Sequence, residues 1–361
     1  MQEKQYIIMS EMETLKKYTY GLKKTKYMVI NTARGEPENI EESVKSGLVT
    51  ETDEYNYVGF WVNKQGNCQL QIMNKKQKLK GEVVALKSLA NYYNVGETFV
   101  NVRLQLYDSS IIPSMLYNME AWTRQSKGEI KKLEQIQAHI LCSLMELPKS
   151  TPQIGLLNEL GIWRIEERLM YRKLMLYNNI INSDENRLSR KIIVDQESTG
   201  DLDGSFFGTV LEMATSIGVT IDQLKYTKKS LLKKILKTRL DERMKKVVYL
   251  TTQRMTKLRF VKSDESCKFK RKKYIIDLQG SKAIQALRCR MNMIQIYGNY
   301  HNDITLRRLC PHCETADDTT EHLTTCKVFH SAISQEDLFD ETNVEVWKQT
   351  LEMINFNLEH R

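Results

Sequence analysis

The chain has 361 residues, 41% of them hydrophobic, and a formal net charge of +9; that is enough apolar material for a buried core, and the length predicts two or three units. No run of eighteen apolar residues occurs, which excludes a membrane-spanning helix. Seven cysteines, an odd number with Cys68, Cys142, Cys267 and Cys289 standing singly, exclude a secreted disulfide scaffold.

The first seventeen residues mix acids and bases and are no signal peptide, so the protein is expected inside the cell, in nucleus or cytoplasm. Residues 9–20 predict a short helix ending at Gly21. Residues 27–31 and 55–63 read as one strand each, separated by a polar loop with Gly35, Pro37 and Gly47. Residues 1–70 therefore form a small α+β piece, and the rest is mainly α.

From Gln71 the period turns helical. Ile130, Leu133, Ile136, Ile140, Leu141, Leu144 and Leu147 recur every three or four residues, and Pro148 is expected to stop the run. A second stripe, over residues 165–181, carries Ile165, Leu169, Met170, Leu174, Tyr177 and Ile181. Arg168, Arg172 and Lys173 are expected on the sides of that helix, and core packing explains the stripe. Residues 195–218 are polar with four glycines and predict a linker or loose loop.

Residues 225–273 hold nineteen Lys or Arg against four acids, a charge of +15, which leaves −6 for the rest of the chain. Such clustering displaces counterions from phosphates and points to RNA or DNA, while a plain solvated basic surface is the simpler explanation. The residues expected to meet phosphate are Lys228, Lys229, Lys233, Lys234, Lys237, Arg239, Arg243, Lys245, Lys246, Arg271, Lys272 and Lys273. Leu232, Leu236, Leu240, Met244 and Val248 step by four in the same stretch, enough to dock a helix, but the charges are not confined to the opposite side. Which side meets phosphate stays open.

The sharpest local pattern is Cys310-Pro-His-Cys313 followed by His322 and Cys326, a C-x2-C-x8-H-x3-C spacing. A two-residue gap lets one turn present two thiolates, and residues four apart share a helix face, so four ligands predict a closed, structural zinc site. Thr319, Thr320 and Glu321 are expected to cap the helix carrying His322, with Leu309 and Leu323 packed beneath. His312 and His330 are competing ligands. The Ala316-Asp-Asp318 triplet lies inside this cluster, without a strand pattern that would make it catalytic.

Taken in order, Gly21-Leu-Lys-Lys-Thr-Lys26, Tyr57-Val-Gly-Phe-Trp61, Ile111-Ile-Pro-Ser-Met-Leu-Tyr117 with Glu120 and Trp122, Leu160-Gly-Ile-Trp163 and the Cys-Cys-His-Cys cluster resemble the C-terminal portion of non-long-terminal-repeat (LINE-type) retrotransposon reverse transcriptases. The resemblance implies a palm-end remnant over residues 1–70 and a helical thumb over 71–150. It further implies a helical linker over 151–305, a zinc knuckle over 306–330 and a tail over 331–361. Lys24 matches a palm lysine that assists phosphoryl transfer, although the loop here is shorter than the family's. Tyr57 and Gly59 fall in a primer-grip-like strand. The Mg²⁺-binding aspartates of the family would lie ahead of residue 1, so the resemblance implies an inactive, truncated chain that binds RNA and DNA and can complement a separate palm-bearing polypeptide. The rival reading is a zinc-stabilised helical scaffold for acidic proteins.

Overall fold

The computed structural model describes residues 26–28, 50–64, 69–92, 100–122, 125–200, 202–255, 258, 261, 269–278, 280–291, 309–310, 313–316, 320–328, 334, 345, 348 and 351. Lys24, the expected helix 9–20 and most of the expected strand 27–31 lie outside them. The described chain is mainly helical, with two small sheets near its start. Two compact units divide at Lys75 and Lys76. Among the described residues no helix is long and apolar enough to cross a membrane.

In the first unit, β1 (Lys26–Tyr27) pairs parallel with β2 (Thr50–Glu51). The expected single strand over 55–63 is instead a hairpin of β3 (Glu54–Tyr57) and β4 (Phe60–Asn63), with Tyr57 opposite Phe60. Its two turn residues, Val58 at φ 49° and Gly59 at φ 80°, both take the positive φ that a type I′ turn requires. A β-branched residue is strained there, and its strand-like character hides the turn in the sequence. Phe60 and Asn63 are buried, and the Trp61 N–H donates to Gln71 Oε1 at 3.2 Å.

Helix α1 (Gln69–Tyr92) runs across the division. In the second unit, α2 (Val100–Leu106) widens into a π turn over Tyr107–Ile111 before the short α3 (Ile112–Met115). Pro113 has no N–H for the carbonyl four residues back and its ring presses on that carbonyl, so the helix widens just ahead of it.

Helix α4 (Lys127–Leu144) starts on a capping box in which Ser126 Oγ accepts from the Glu129 N–H and Glu129 accepts from the Ser126 N–H. It ends at Leu144, three residues short of the run expected to reach Leu147. Glu146 takes φ 54°, and the Leu147 N–H returns to the Cys142 carbonyl at 2.8 Å. Arg103 donates to the Leu144 carbonyl and pairs with Glu146 at 2.9 Å, which compensates the exposed helix end.

Helices α5 (Gln153–Leu160) and α6 (Ile165–Ile181) follow, and α6 has the boundaries the sequence predicts. Ile165, Leu169, Met170, Leu174 and Tyr177 are buried as expected. Lys173 is a correction: its side chain is fully buried, donates to the Trp122 carbonyl and sits 5.7 Å from the Phe206 ring centroid. The expected linker 195–218 is also corrected. It holds the end of α7 (Leu188–Thr199) and all of α8 (Phe206–Ser216), and Phe206, Phe207, Val210 and Ala214 join the core beside α6. Four glycines in 24 residues mask an apolar period that is only eleven residues long.

Helix α9 (Ile221–Tyr226) leads into α10 (Lys229–Thr252), which is followed by α11 (Lys273–Asp277) and α12 (Gly280–Arg290). On α10, Leu232, Leu236, Leu240, Met244, Val248 and Thr252 are all buried. A four-residue step overshoots a helical turn by about 40°, so this stripe winds through about 200° along the helix. The stripe packs on α6 and α5. Its winding is why the charges share no single opposite face.

Candidate metal centre and nucleic-acid interface

Cys310 and Cys313 sit in a tight loop in which the Glu314 N–H donates to the Cys310 carbonyl at 2.8 Å and the Cys310 N–H donates to the Ala316 carbonyl at 2.6 Å. His322 lies on α13 (Thr320–Thr325), and Cys326 follows its last residue. Thr320 is thus inside the helix rather than capping it; Thr319 lies outside the described residues. Leu309 is half exposed, against the expected packing, and the Leu323 side chain lies outside the description.

The ligand atoms of Cys310, Cys313, His322 and Cys326 lie within 4.8 Å of one another. Cys310 Sγ and Cys326 Sγ are 3.9 Å apart, and Cys313 Sγ is 3.2 Å from His322 Nε2. A disulfide needs about 2.05 Å between sulfurs. The edge of a tetrahedron of thiolates around zinc is about 3.8 Å, so the spacing fits a shared metal ion. The Thr315 hydroxyl donates to Cys313 Sγ at 3.2 Å and, with the Thr315 and Ala316 N–H groups, pulls that thiol down to about 6. A thiolate at neutral pH is the form that binds metal. Thr315 was not singled out in the sequence, although a hydroxyl two residues after a ligand cysteine is the signal that would have found it. Ala316 closes the same loop, so the Ala-Asp-Asp triplet begins as part of the metal loop. His312 and His330 lie outside the described residues.

The basic residues fall into two groups. Lys228, Lys229, Lys233, Lys234, Lys237, Arg239 and Lys246 are exposed on or just before α10. Within the first half of the helix, up to Leu240, no acid interrupts them. Lys228, Lys229, Lys233 and Lys234 form no ion pair among the described residues. Asp241 and Glu242 end this run: Asp241 accepts from Trp163 Nε1 at 2.7 Å, and Glu242 pairs with Arg239 at 3.3 Å.

Beyond that point several of the charges turn inward. Arg243 pairs with Glu166 at 2.8 Å and Glu167 at 3.1 Å, which Arg164 also engages. Lys245 is half-buried. Arg271 donates to Asn101 at 2.6 Å, and burial holds its guanidinium below the usual arginine range. Lys272 is buried, with its backbone N–H on the Glu159 carbonyl, so it offers no charge to solvent, a correction to its expected phosphate contact. Lys273 lies 4.0 Å from Asp277. In the first unit, Gly59 sits at the exposed tip of the hairpin and Tyr57 at its strand end; the Tyr57 side chain is outside the description.

The Leu160-Gly-Ile-Trp163 string is explained by packing. Gly161 ends α5 at φ 62°, and a Cβ there would lie 2.3 Å from the Arg271 nitrogen, so only glycine lets the 270–272 chain cross this helix end. Beneath it Arg290 Nε donates to Glu159 Oε2 at 2.7 Å, and Tyr274 donates to the same carboxylate at 2.7 Å, with both ion-pair partners buried. Sequence reasoning missed this pair because its members are 131 residues apart. Comparison with family models, curated proteins and solved structures finds no match for this chain.

Proposed function

We propose that the chain is a reverse-transcriptase-like protein of the LINE type that binds RNA and DNA, is stabilised by a structural zinc, and does not itself polymerise. The observation that carries this reading is the outward face of the first half of α10, where Lys228, Lys229, Lys233 and Lys234 are exposed and form no ion pair among the described residues. Lysine heads free of internal partners are what a phosphate backbone displaces counterions to meet. The helix cap offers a further argument. The first turn of α10 has no acidic residue and its N-cap, Lys228, makes no side-chain cap bond. Lysine opposes the dipole there, a stability cost that a polyanion removes.

The closed Cys310, Cys313, His322, Cys326 set leaves no coordination place for a substrate or catalytic water, so zinc at this site would only hold the fold. The two-Mg²⁺ chemistry of polymerases needs converging carboxylates, and the Ala316-Asp-Asp318 triplet, which begins in the Cys310–Cys313 loop, is not read as their source. The ordered resemblance strings support the family reading.

The test is a competition at fixed low salt, in which labelled single-stranded RNA is challenged with duplex RNA, duplex DNA and an acidic peptide of equal charge. Nucleic acids are expected to displace the probe and the peptide to fail. Displacement by the peptide as well would favour a scaffold for acidic proteins. Reversing Lys228, Lys229, Lys233 and Lys234 to Glu should flatten the log–log salt slope by about three, at about 0.7 per phosphate on a single strand. For the metal, the purified chain should carry one equivalent of zinc and Cys313→Ser should carry none; unchanged content in the variant removes zinc from the account.

A further inference from the structure

Tyr226, at the end of α9, is 81% exposed, more than Leu188 at 72% or Val58 at 70%. A tyrosine ring combines a large apolar face with a polar tip, which is why such residues are enriched where a partner is bound. Its neighbour Leu224 is fully buried in the core, so the helix is firmly seated on one side while Tyr226 faces solvent.

The backbone beneath that ring is clamped. Asn178 Nδ2 donates to the Leu224 carbonyl at 2.7 Å, Asn182 Nδ2 donates to the Lys225 carbonyl at 3.1 Å, and the Lys225 ammonium is held by Glu197. Asn178 lies on α6, Asn182 is the residue just past its end, and Glu197 lies on α7. Immediately after Tyr226, Thr227 and Lys228 run extended before α10 begins, which puts Lys228 and Lys229 within three residues of the ring and Lys233 one turn further along. An uncovered aromatic side chain on an anchored backbone therefore stands within seven residues of the outward Lys228, Lys229 and Lys233.

We infer that Tyr226 is a stacking platform for an unpaired nucleobase, with Lys228, Lys229 and Lys233 engaging the flanking phosphates, so that the surface selects single-stranded over duplex nucleic acid. This rests on the nucleic-acid reading above and names its substrate class. Base stacking on an aromatic side chain tolerates any base, because each has a π-face, and needs that face free of a paired strand. Anchoring the backbone under the ring lowers the ordering cost that a mobile loop would carry.

The experiment measures binding of the full chain to oligo-U and oligo-dT 15-mers, and to duplexes of the same length, by fluorescence anisotropy at one salt concentration. Tyr226→Ala should weaken both single strands about tenfold or more and leave duplex affinity unchanged, whereas Tyr226→Phe should bind as the wild type does. Oligo-U held tighter than oligo-dT would assign the ligand as RNA; equal affinity would mean that only base and phosphate are read. Oligonucleotides carrying 5-iodouracil should photocrosslink at Tyr226. Full single-strand affinity in Tyr226→Ala would overturn the platform, as would an equal loss in Tyr226→Phe or crosslinks only elsewhere. If reversal of the four lysines still weakens binding in that case, nucleic-acid binding survives without stacking; if it does not, both readings fall.

Discussion

Five arginines and four lysines of this chain are used in opposite directions. Arg164 and Arg243 share Glu166 and Glu167, Arg168 pairs with Asp108 at 2.8 Å, Arg172 pairs with Glu120 at 2.8 Å, and Arg290 is buried on Glu159. Lys228, Lys229, Lys233 and Lys234 face solvent without partners among the described residues. The planar guanidinium fork holds a carboxylate with two bonds and loses little hydration, so it suits the inside; the ammonium keeps its water and suits a surface that meets phosphate. The lesson is that the +15 of residues 225–273 is not one binding surface. Among the described residues, Lys228, Lys229, Lys233 and Lys234 in its first third are presented outward without an internal ion pair, whereas Arg243 and Arg271 in the remainder tie their segments to other helices.

The comparison breaks most sharply at Arg290. Replacing it with Met leaves Glu159 buried and without its cation, which should cost about 3–5 kcal/mol in urea unfolding followed by tryptophan fluorescence. The double change Arg290→Met with Glu159→Gln should recover much of that, because no buried charge remains. A loss below about 1 kcal/mol in the single variant would mean that the inward charges are not holding this unit together.

That pair also shows what could be read in advance. The helix 165–181 and the five-residue stripe from Leu232 to Val248 on α10 were legible because apolar period is local information. So was the metal cluster, whose four ligands fall within 17 residues. The hairpin in 55–63 was not, since Val58 occupies a turn position that sequence preference assigns to Asn or Gly. Lys173 and Lys272 were placed outside because lysine rarely goes in; only tertiary neighbours bury them. The outward lysines were found, but not separated from inward Arg243, because the acids that claim it lie on α6, 76 residues away.

A smaller effect tests the boundary between the two halves of α10. Burial raises Asp241 above the ordinary carboxylate range, and the Trp163 hydrogen bond pulls it partly back. The native state then holds that proton more tightly than the unfolded chain, so this site loses stability as pH rises from below the unfolded value of about 3.9 through the native one. Trp163→Phe removes the indole donor, lifts the native value further and steepens that loss. The variant should therefore be about 1 kcal/mol less stable at neutral pH and lose part of that deficit in acid, measured by urea unfolding at several pH values. A deficit independent of pH would mean that only packing against Tyr171, 5.7 Å between ring centroids, is at stake.

The smallest effect has the opposite sign. Lys229 is the first residue of α10, at an N-terminus without an acid in its first turn and without a side-chain cap. A negative charge there meets the unpaired N–H groups and the positive end of the dipole, so Lys229→Glu should raise stability by about 0.3–1 kcal/mol at low salt and by less as salt screens it. The same change should weaken oligo-U binding. A residue chosen for the fold would not give stability when replaced by its opposite charge, whereas one kept for a polyanion would. Thermal melts and anisotropy on one protein sample separate the two: if Lys229→Glu is both less stable and unaltered in binding, the outward half of α10 is a structural surface like the inward half.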